Sequence, residues 1–316
     1  MKKTNKDFKK NKKHEDLKIV NCRGCYSEEI ETVIDLGMQP WGNDFKHKDS
    51  KEATPFYPLE VDFCHKCALL SLNYTVPKEV MFLNHTYVSG STKTLRKHFK
   101  ETALDTLQIL ANDEELKKEI KVLDIGSNDG TQLIQFKKLG CEVLGVESAV
   151  NIATIAQKNG IPTKVAFFNE EFGESLDIEF DIINASGVFF HLEELHSAIK
   201  AIKKLLSDEG LFVVQFIYLK DIVENGAFDQ IYHEHLVYYL FTTLNRLLEP
   251  YDLEIFDGKR KEIHGGSGIA YVANKGKKKI TKSLLDLYAD ERDCDFLKIE
   301  KYKKFMTDIE IIKNEN

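Results

Sequence analysis

The sequence has no long apolar run. None of its hydrophobic stretches approaches the ~20 residues that a membrane-spanning helix needs, and no apolar segment follows the basic start to make a secretory signal. A membrane partner is therefore not expected, and the expected location is the cytoplasm. Positive charge is not in excess either: 44 Lys and Arg stand against 51 Asp and Glu, for a formal net charge of −7. That balance argues against a nucleic-acid partner. Also missing are an internal repeat and the G-x-G-x-x-G fingerprint of dinucleotide-binding loops.

At 316 residues the chain has room for two domains or a core with appendages. Residues 1–16 stand apart. Lys2, Lys3, Lys6, Lys9, Lys10, Lys12 and Lys13 crowd a stretch almost without apolar side chains, which reads as a disordered basic tail.

Cysteine is scarce and clustered. Of six cysteines, Cys22 and Cys25 make one C-x-x-C and Cys64 and Cys67 make another. In a reducing compartment such knuckles mean metal rather than disulfides. Each places two sulfurs on one tight turn, so two turns complete a tetrahedron around Zn²⁺. Residues 17–90 around them read as short β-strands (Ile19-Val20, Thr32 to Ile34, Tyr57 to Phe63) punctuated by glycine and proline. So thin a core needs a metal staple. A site closed by four thiolates is structural.

A linking helix starts after Ser89-Gly90-Ser91, with Leu95, Phe99, Leu104 (or Ala103), Leu107 and Leu110 at helical spacing. From Lys121 strands and helices alternate up to Phe216, which predicts an α/β fold with a parallel sheet and ligands at the carboxyl ends of its strands. Residues 91–217 form that domain. Residues 218–316 carry further aromatics, strands at Glu254 to Asp257 and Gly268 to Ala273, and a charged helical end.

The first strand of the alternating region ends in Asp124-Ile125-Gly126-Ser127-Asn128-Asp129-Gly130. A D-x-G-x-x-x-G turn accommodates a compact ligand without a pyrophosphate, and S-adenosylmethionine fits that description. Glu147, at the end of the next strand, is placed to accept hydrogen bonds from ribose hydroxyls. The region resembles the class I (Rossmann-like) methyltransferases. That resemblance implies cofactor contacts from Asp124, Gly126, Asn128, Gly130 and Glu147. A nicotinamide cofactor is the alternative, and Phe167, Phe168 and Asn169 are candidates to flank the adenine.

Tyr232-His233-Glu234-His235 concentrates acid–base capacity as no other stretch does. His233 and His235 share one face of an extended segment and could bind metal, yet no third ligand lies nearby. Acid–base work suits the histidines better. His191 lies beyond a strand end, on the ligand-facing edge.

Together these pieces resemble one family, the bacterial zinc-containing sugar C-methyltransferases of deoxysugar biosynthesis. The matches are Cys22/Cys25 and Cys64/Cys67, Gln39-Pro40-Trp41-Gly42-Asn43, Tyr87-Val88-Ser89-Gly90-Ser91, the loop at Asp124, His191, Tyr232-His233-Glu234-His235 and His264-Gly265-Gly266-Ser267. The resemblance implies proton abstraction beside the ketone of a nucleotide-linked 4-keto-deoxysugar, followed by methylation of the enolate. It makes His235 the leading base with Tyr232 competing. Glu234 would orient the base or bind sugar, with His191 and Tyr87 completing the pocket. Members usually continue into a further nucleotide-binding-like domain. Here the sequence ends at Asn316, so a shortened C-terminal region is expected, with a separate subunit as one candidate source of the missing part. The alternatives are another small-molecule acceptor and a non-catalytic binding subunit.

Overall fold

The structure is a computed structural model that describes residues 17–43, 45–82, 87–111 and 119–315; the basic tail read from residues 1–16 lies outside them. Two sheets organise the chain. The smaller is antiparallel and runs β1 (Ile30–Pro40), β2 (Phe56–Cys64), β3 (Leu70–Leu72) and β9 (Val237–Tyr238). Its last strand comes from immediately after the Tyr-His-Glu-His run: Leu70 pairs with Tyr238 and Ser71 with Val237.

The larger sheet contains β4 (Lys121–Ile125), β5 (Glu142–Glu147), β6 (Thr163–Val165), β7 (Phe180–Ser186), β8 (Leu206–Ile217), β10 (Leu253–Lys261) and β11 (Ser267–Asn274), in the order β10-β11-β8-β7-β4-β5-β6. β4 to β8 run parallel, and β11 enters antiparallel between β8 and β10. The central parallel strands β4 and β7 are buried on both faces, which is why they read as largely apolar runs, whereas the edge strand β6 is exposed. β10 and β11, from beyond residue 217, thus complete this sheet, while β9 joins the smaller one.

Ten helices are described: α1 (Lys78–Met81), α2 (Lys93–Ala111), α3 (Thr131–Lys138), α4 (Val150–Lys158), α5 (Glu170–Glu174), α6 (Leu195–Leu205), α7 (Leu219–Glu224), α8 (Phe241–Leu248), α9 (Lys282–Asp293) and α10 (Ile299–Glu315). None is long and apolar enough to cross a membrane. On α2 the buried stripe runs Leu95, Phe99, Ala103; Leu104 faces solvent. Ile19-Val20 does not form a strand, because the turn of the first knuckle begins at Cys22. Only a bridge from Lys18 to Tyr74 and one bond from the Ile19 N–H to the Asn73 carbonyl remain.

The charged C-terminal segment is packed, not loose. Tyr302 of α10 sits against Phe63 of β2 with ring centroids 5.8 Å apart. Glu291 of α9 is fully buried and accepts from the N–H groups of Phe241 (2.7 Å) and Thr242 (2.9 Å), at the start of α8, and from the Tyr218 hydroxyl at 2.9 Å. A carboxylate at a helix N-terminus is favourable there.

The four knuckle cysteines are free thiols whose sulfurs all lie within 4.8 Å of one another. Cys22–Cys67 and Cys25–Cys64 are each 3.5 Å apart. Tetrahedral zinc with bonds of about 2.3 Å places its sulfurs roughly 3.8 Å from each other, so the quartet fits the ion. A left-handed residue ends each knuckle: Tyr26 (φ 59°) and Ala68 (φ 62°). Metal analysis of the purified protein should give one zinc per chain. Cys67→Ser should lose that zinc and lower the melting temperature; a zinc-free protein of unchanged stability would contradict the assignment.

Candidate active site

In an open parallel sheet, the crevice forms where strand order reverses, beyond the carboxyl ends of the strands. Here the reversal falls between β4 and β7, and β4 ends in the Asp124–Gly130 loop. A cleft of about 1010 Å³ opens there, walled by Gly126, Asn128, Glu147, Ser148, Phe167, Phe168 and neighbours. Asp124 and Gly130 do not reach the wall; they shape it from behind. Asp124 is wholly buried, and burial with the nearby Glu147 raises its pKa well above the usual carboxyl range. Gly130 caps α3 at φ 79°, where a Cβ would meet Ile161 at 2.9 Å.

Glu147 braces the loop it faces. One carboxylate oxygen accepts from the Asn128 N–H at 3.0 Å and the other from the Ala149 N–H at 2.8 Å. Asn128 in turn ties down the Tyr87–Ser91 segment, its Oδ1 accepting from the Ser89 N–H at 2.9 Å and its Nδ2 donating to the Tyr87 carbonyl at 3.1 Å. Lys78 spans to Glu194 at 2.9 Å, both in the same wall. Phe167 and Phe168 give this cleft an apolar surface, whereas Asn169 caps α5 through the Phe172 N–H at 2.9 Å.

A second cavity, about 1090 Å³, adjoins the first and shares Tyr87, Ser89, Ser186, Gly187 and His191 with it. Its wall includes Tyr232, Glu234 and His235, and also Asn43, Gln215, Gln230 and His264. The run therefore divides. His233 turns away, its Nε2 3.2 Å from the Pro58 carbonyl in β2, so it anchors the run to the smaller sheet. The metal reading of His233 with His235 is thereby set aside. Among the described residues, only the cysteine quartet gathers metal-ligating side chains.

The tautomers of both cavity histidines are fixed by backbone carbonyls. His235 Nδ1 lies 2.7 Å from the Gln230 carbonyl and His191 Nδ1 lies 2.5 Å from the Glu234 carbonyl. A carbonyl only accepts, so each Nδ1 carries a proton, and in the neutral ring Nε2 is left with the lone pair. Their rings are 5.1 Å apart. Burial first, then His191, pushes the His235 pKa well below the ordinary imidazole value. Burial raises Tyr232 and Tyr87, so both phenols stay protonated. The group that orients His235 is thus the Gln230 carbonyl. Glu234 is gripped from elsewhere, by Trp41 Nε1 at 2.8 Å and Asn43 Nδ2 at 2.6 Å, both from the zinc module.

The profile of a methyltransferase domain family matches residues 95–257, more than half of the chain. The chain belongs to the S-adenosylmethionine-dependent methyltransferases. A zinc binding domain profile matches residues 22–82. Among curated proteins, this methyltransferase is 28% identical to C-methyltransferase NovU of Streptomyces niveus, over 93% of its own length and 70% of NovU. It is 25% identical to the uncharacterized methyltransferase YcgJ of Bacillus subtilis (strain 168), over 53% of its length and 63% of that protein. Magnesium protoporphyrin IX methyltransferase ChlM of Synechocystis PCC 6803, solved with bound SAM, is 15% identical with a TM-score of 0.44, covering 61% of this chain and 87% of that one.

The methyltransferase's first cleft suits its cofactor chemically. A carboxylate stands at a strand end for ribose hydroxyls, and two aromatic rings offer an apolar surface for a purine. Sequence reasoning quoted Trp41, Asn43 and His264 without a role and missed Gln215 and Gln230. The signal for Gln215 was present: it is the lone polar residue in the run Leu211 to Ile217. Two variants separate the cavities. Glu147→Ala should weaken cofactor binding by on the order of 10²-fold, the loss of charged hydrogen bonds worth ~3 kcal/mol. Trp41→Phe with Asn43→Ala should leave calorimetric cofactor affinity intact and reduce turnover.

Proposed function

We propose that this methyltransferase methylates a carbon beside the ketone of a nucleotide-linked 4-keto-deoxysugar, working in the cytoplasm. The observation that carries the reading is His235: a buried imidazole with its Nδ1 proton committed to a carbonyl, in a cavity that joins the cofactor cleft. Similarity to a C-methyltransferase over nearly the whole chain supports the same reaction type.

A ketone acidifies the neighbouring C–H. His235 Nε2 accepts that proton and the C–H electron pair moves into an enolate. Because its pKa is held low, His235 is already neutral at physiological pH and ready to act. Tyr232, with its raised pKa, serves as a hydrogen-bond donor rather than as the base. Glu234, its carboxylate positioned by Trp41 and Asn43, receives sugar hydroxyls, while His191 and Tyr87 line the passage between the cavities. Gly126, Asn128 and Glu147 would hold S-adenosylmethionine, with Asp124 and Gly130 shaping the loop. Bound there, that cofactor supplies an electrophilic methyl group.

The test is exchange of the proton beside the ketone in D₂O, followed by NMR with a nucleoside-diphosphate-linked 4-keto-6-deoxyhexose. Wild type should exchange it and His235→Ala should not; an unchanged rate in the variant removes His235 as the base. The pH profile is a second check. A base with a depressed pKa loses activity only once acid protonates it, so turnover should hold through pH ~6.5, the ordinary imidazole value, and fall below it.

A further inference from the structure

Gln215 interrupts β8 in the middle of its apolar run, in register between Ser186 of β7 and Ile269 of β11. Its side chain is 3% exposed, and what remains open belongs to the wall of the second cavity, with His235, His264 and Ser267. Its Oε1 lies 2.6 Å from Nε2 of His98, which is itself buried in α2. An amide oxygen can only accept, so His98 donates through Nε2. With the oxygen committed, the amide's two N–H donors are turned to the other side. Among the described residues the amide nitrogen makes no hydrogen bond, and the side chain lines the cavity. A ligand oxygen in the cavity can accept from it.

The chemistry of the cavity says which oxygen. His235 supplies a base for the C–H, but a base alone leaves the developing negative charge on the ketone oxygen without a partner. Tyr232 stands beside His235, its ring 3.9 Å away. Gln215 comes instead from the sheet itself, on a strand that cannot shift without breaking its ladders to β7 and β11. A donor fixed in place before the reaction is the arrangement that favours an oxyanion most.

We propose that the Gln215 carboxamide donates a hydrogen bond to the ketone oxygen of the acceptor and to the enolate oxygen formed from it, and that His98 is the positioning residue that aims the amide. The role rests on the C-methylation reading. His235 takes the proton, the C–H electron pair becomes the enolate π bond, and the carbonyl π pair settles on the oxygen facing Gln215.

The experiment measures the same D₂O exchange on the nucleoside-diphosphate-linked 4-keto-6-deoxyhexose, with cofactor affinity by calorimetry as the control for folding. Gln215→Glu keeps the acceptor for His98 but carries no N–H, and Gln215→Met removes both. Each should slow exchange and kcat by about 10²–10³-fold, the usual effect of one lost oxyanion donor, with cofactor affinity unchanged. His98→Phe should lower kcat more than it raises KM, and His98→Gln, which can still donate to Oε1, should restore part of the rate. A purely structural role for His98 would not give that rescue. Wild-type exchange in both folded Gln215 variants overturns the proposal while C-methylation stands. An absence of exchange in the wild type overturns the C-methylation reading and the role of Gln215 with it.

Discussion

The grip of the zinc module on Glu234 is the contact on which the geometry of the second cavity depends. Trp41 and Asn43 leave the end of β1 and close on one carboxylate oxygen, while β9, three residues beyond Glu234, adds itself to β3. His233 reaches the Pro58 carbonyl from the same run. The acidic and basic side chains are therefore held between two sheets. On the other side, Tyr239 bridges to Tyr218 at the end of β8. The cysteine quartet lies away from the second cavity yet bears on its geometry, since the knuckles fix β2 and β3 and these fix the run. Structural zinc commonly contributes folding energy outright; here that energy would be passed into the placement of the Tyr-His-Glu-His run.

Electrostatics follows from this burial. Four histidines (His98, His191, His235 and His264) lie in or beside one cavity, and burial lowers the pKa of His98, His235 and His264. Neutral imidazoles packed together need no counter-charges, and their tautomers are set by carbonyl oxygens that are always available. The cofactor side obeys the same logic with carboxylates. Glu147 keeps its position through two backbone N–H groups, and Asp124 is kept in the interior by the strand it belongs to. In each half of the site, backbone groups hold side chains in place: the Gln230 and Glu234 carbonyls orient the histidines, and the Asn128 and Ala149 N–H groups hold Glu147.

Much of this was legible in the sequence. The knuckles, the D-x-G-x-x-x-G loop, Glu147 and the Tyr-His-Glu-His run are local signals, each with chemistry in a few consecutive residues. The strand at Lys121–Ile125 is equally local, because a strand buried on both faces reads as a largely apolar run. Long-range partnerships were not legible. Nothing near Glu234 announces that Trp41 will find it, and nothing near β3 announces that its next strand is Val237–Tyr238. The insertion of β11 between β8 and β10 is a property of pairing, not of periodicity. Leu104 and Ala103 are both apolar, and only packing decides that Ala103 is the one enclosed. Gln215 carried a signal of its own, a polar residue in a buried strand, whose meaning needed the cavity beside it.

The central claim is that two joined cavities bring a methyl donor and a C–H acid to His235. A crystal structure with S-adenosylhomocysteine and the nucleotide-linked keto-sugar bound together tests it most directly. The account places the cofactor product against Glu147, the ketone oxygen within hydrogen-bond reach of Gln215, and the acceptor carbon between the cofactor sulfur and His235 Nε2. A sugar ring bound outside the second cavity, or with that carbon turned away from His235, would contradict it.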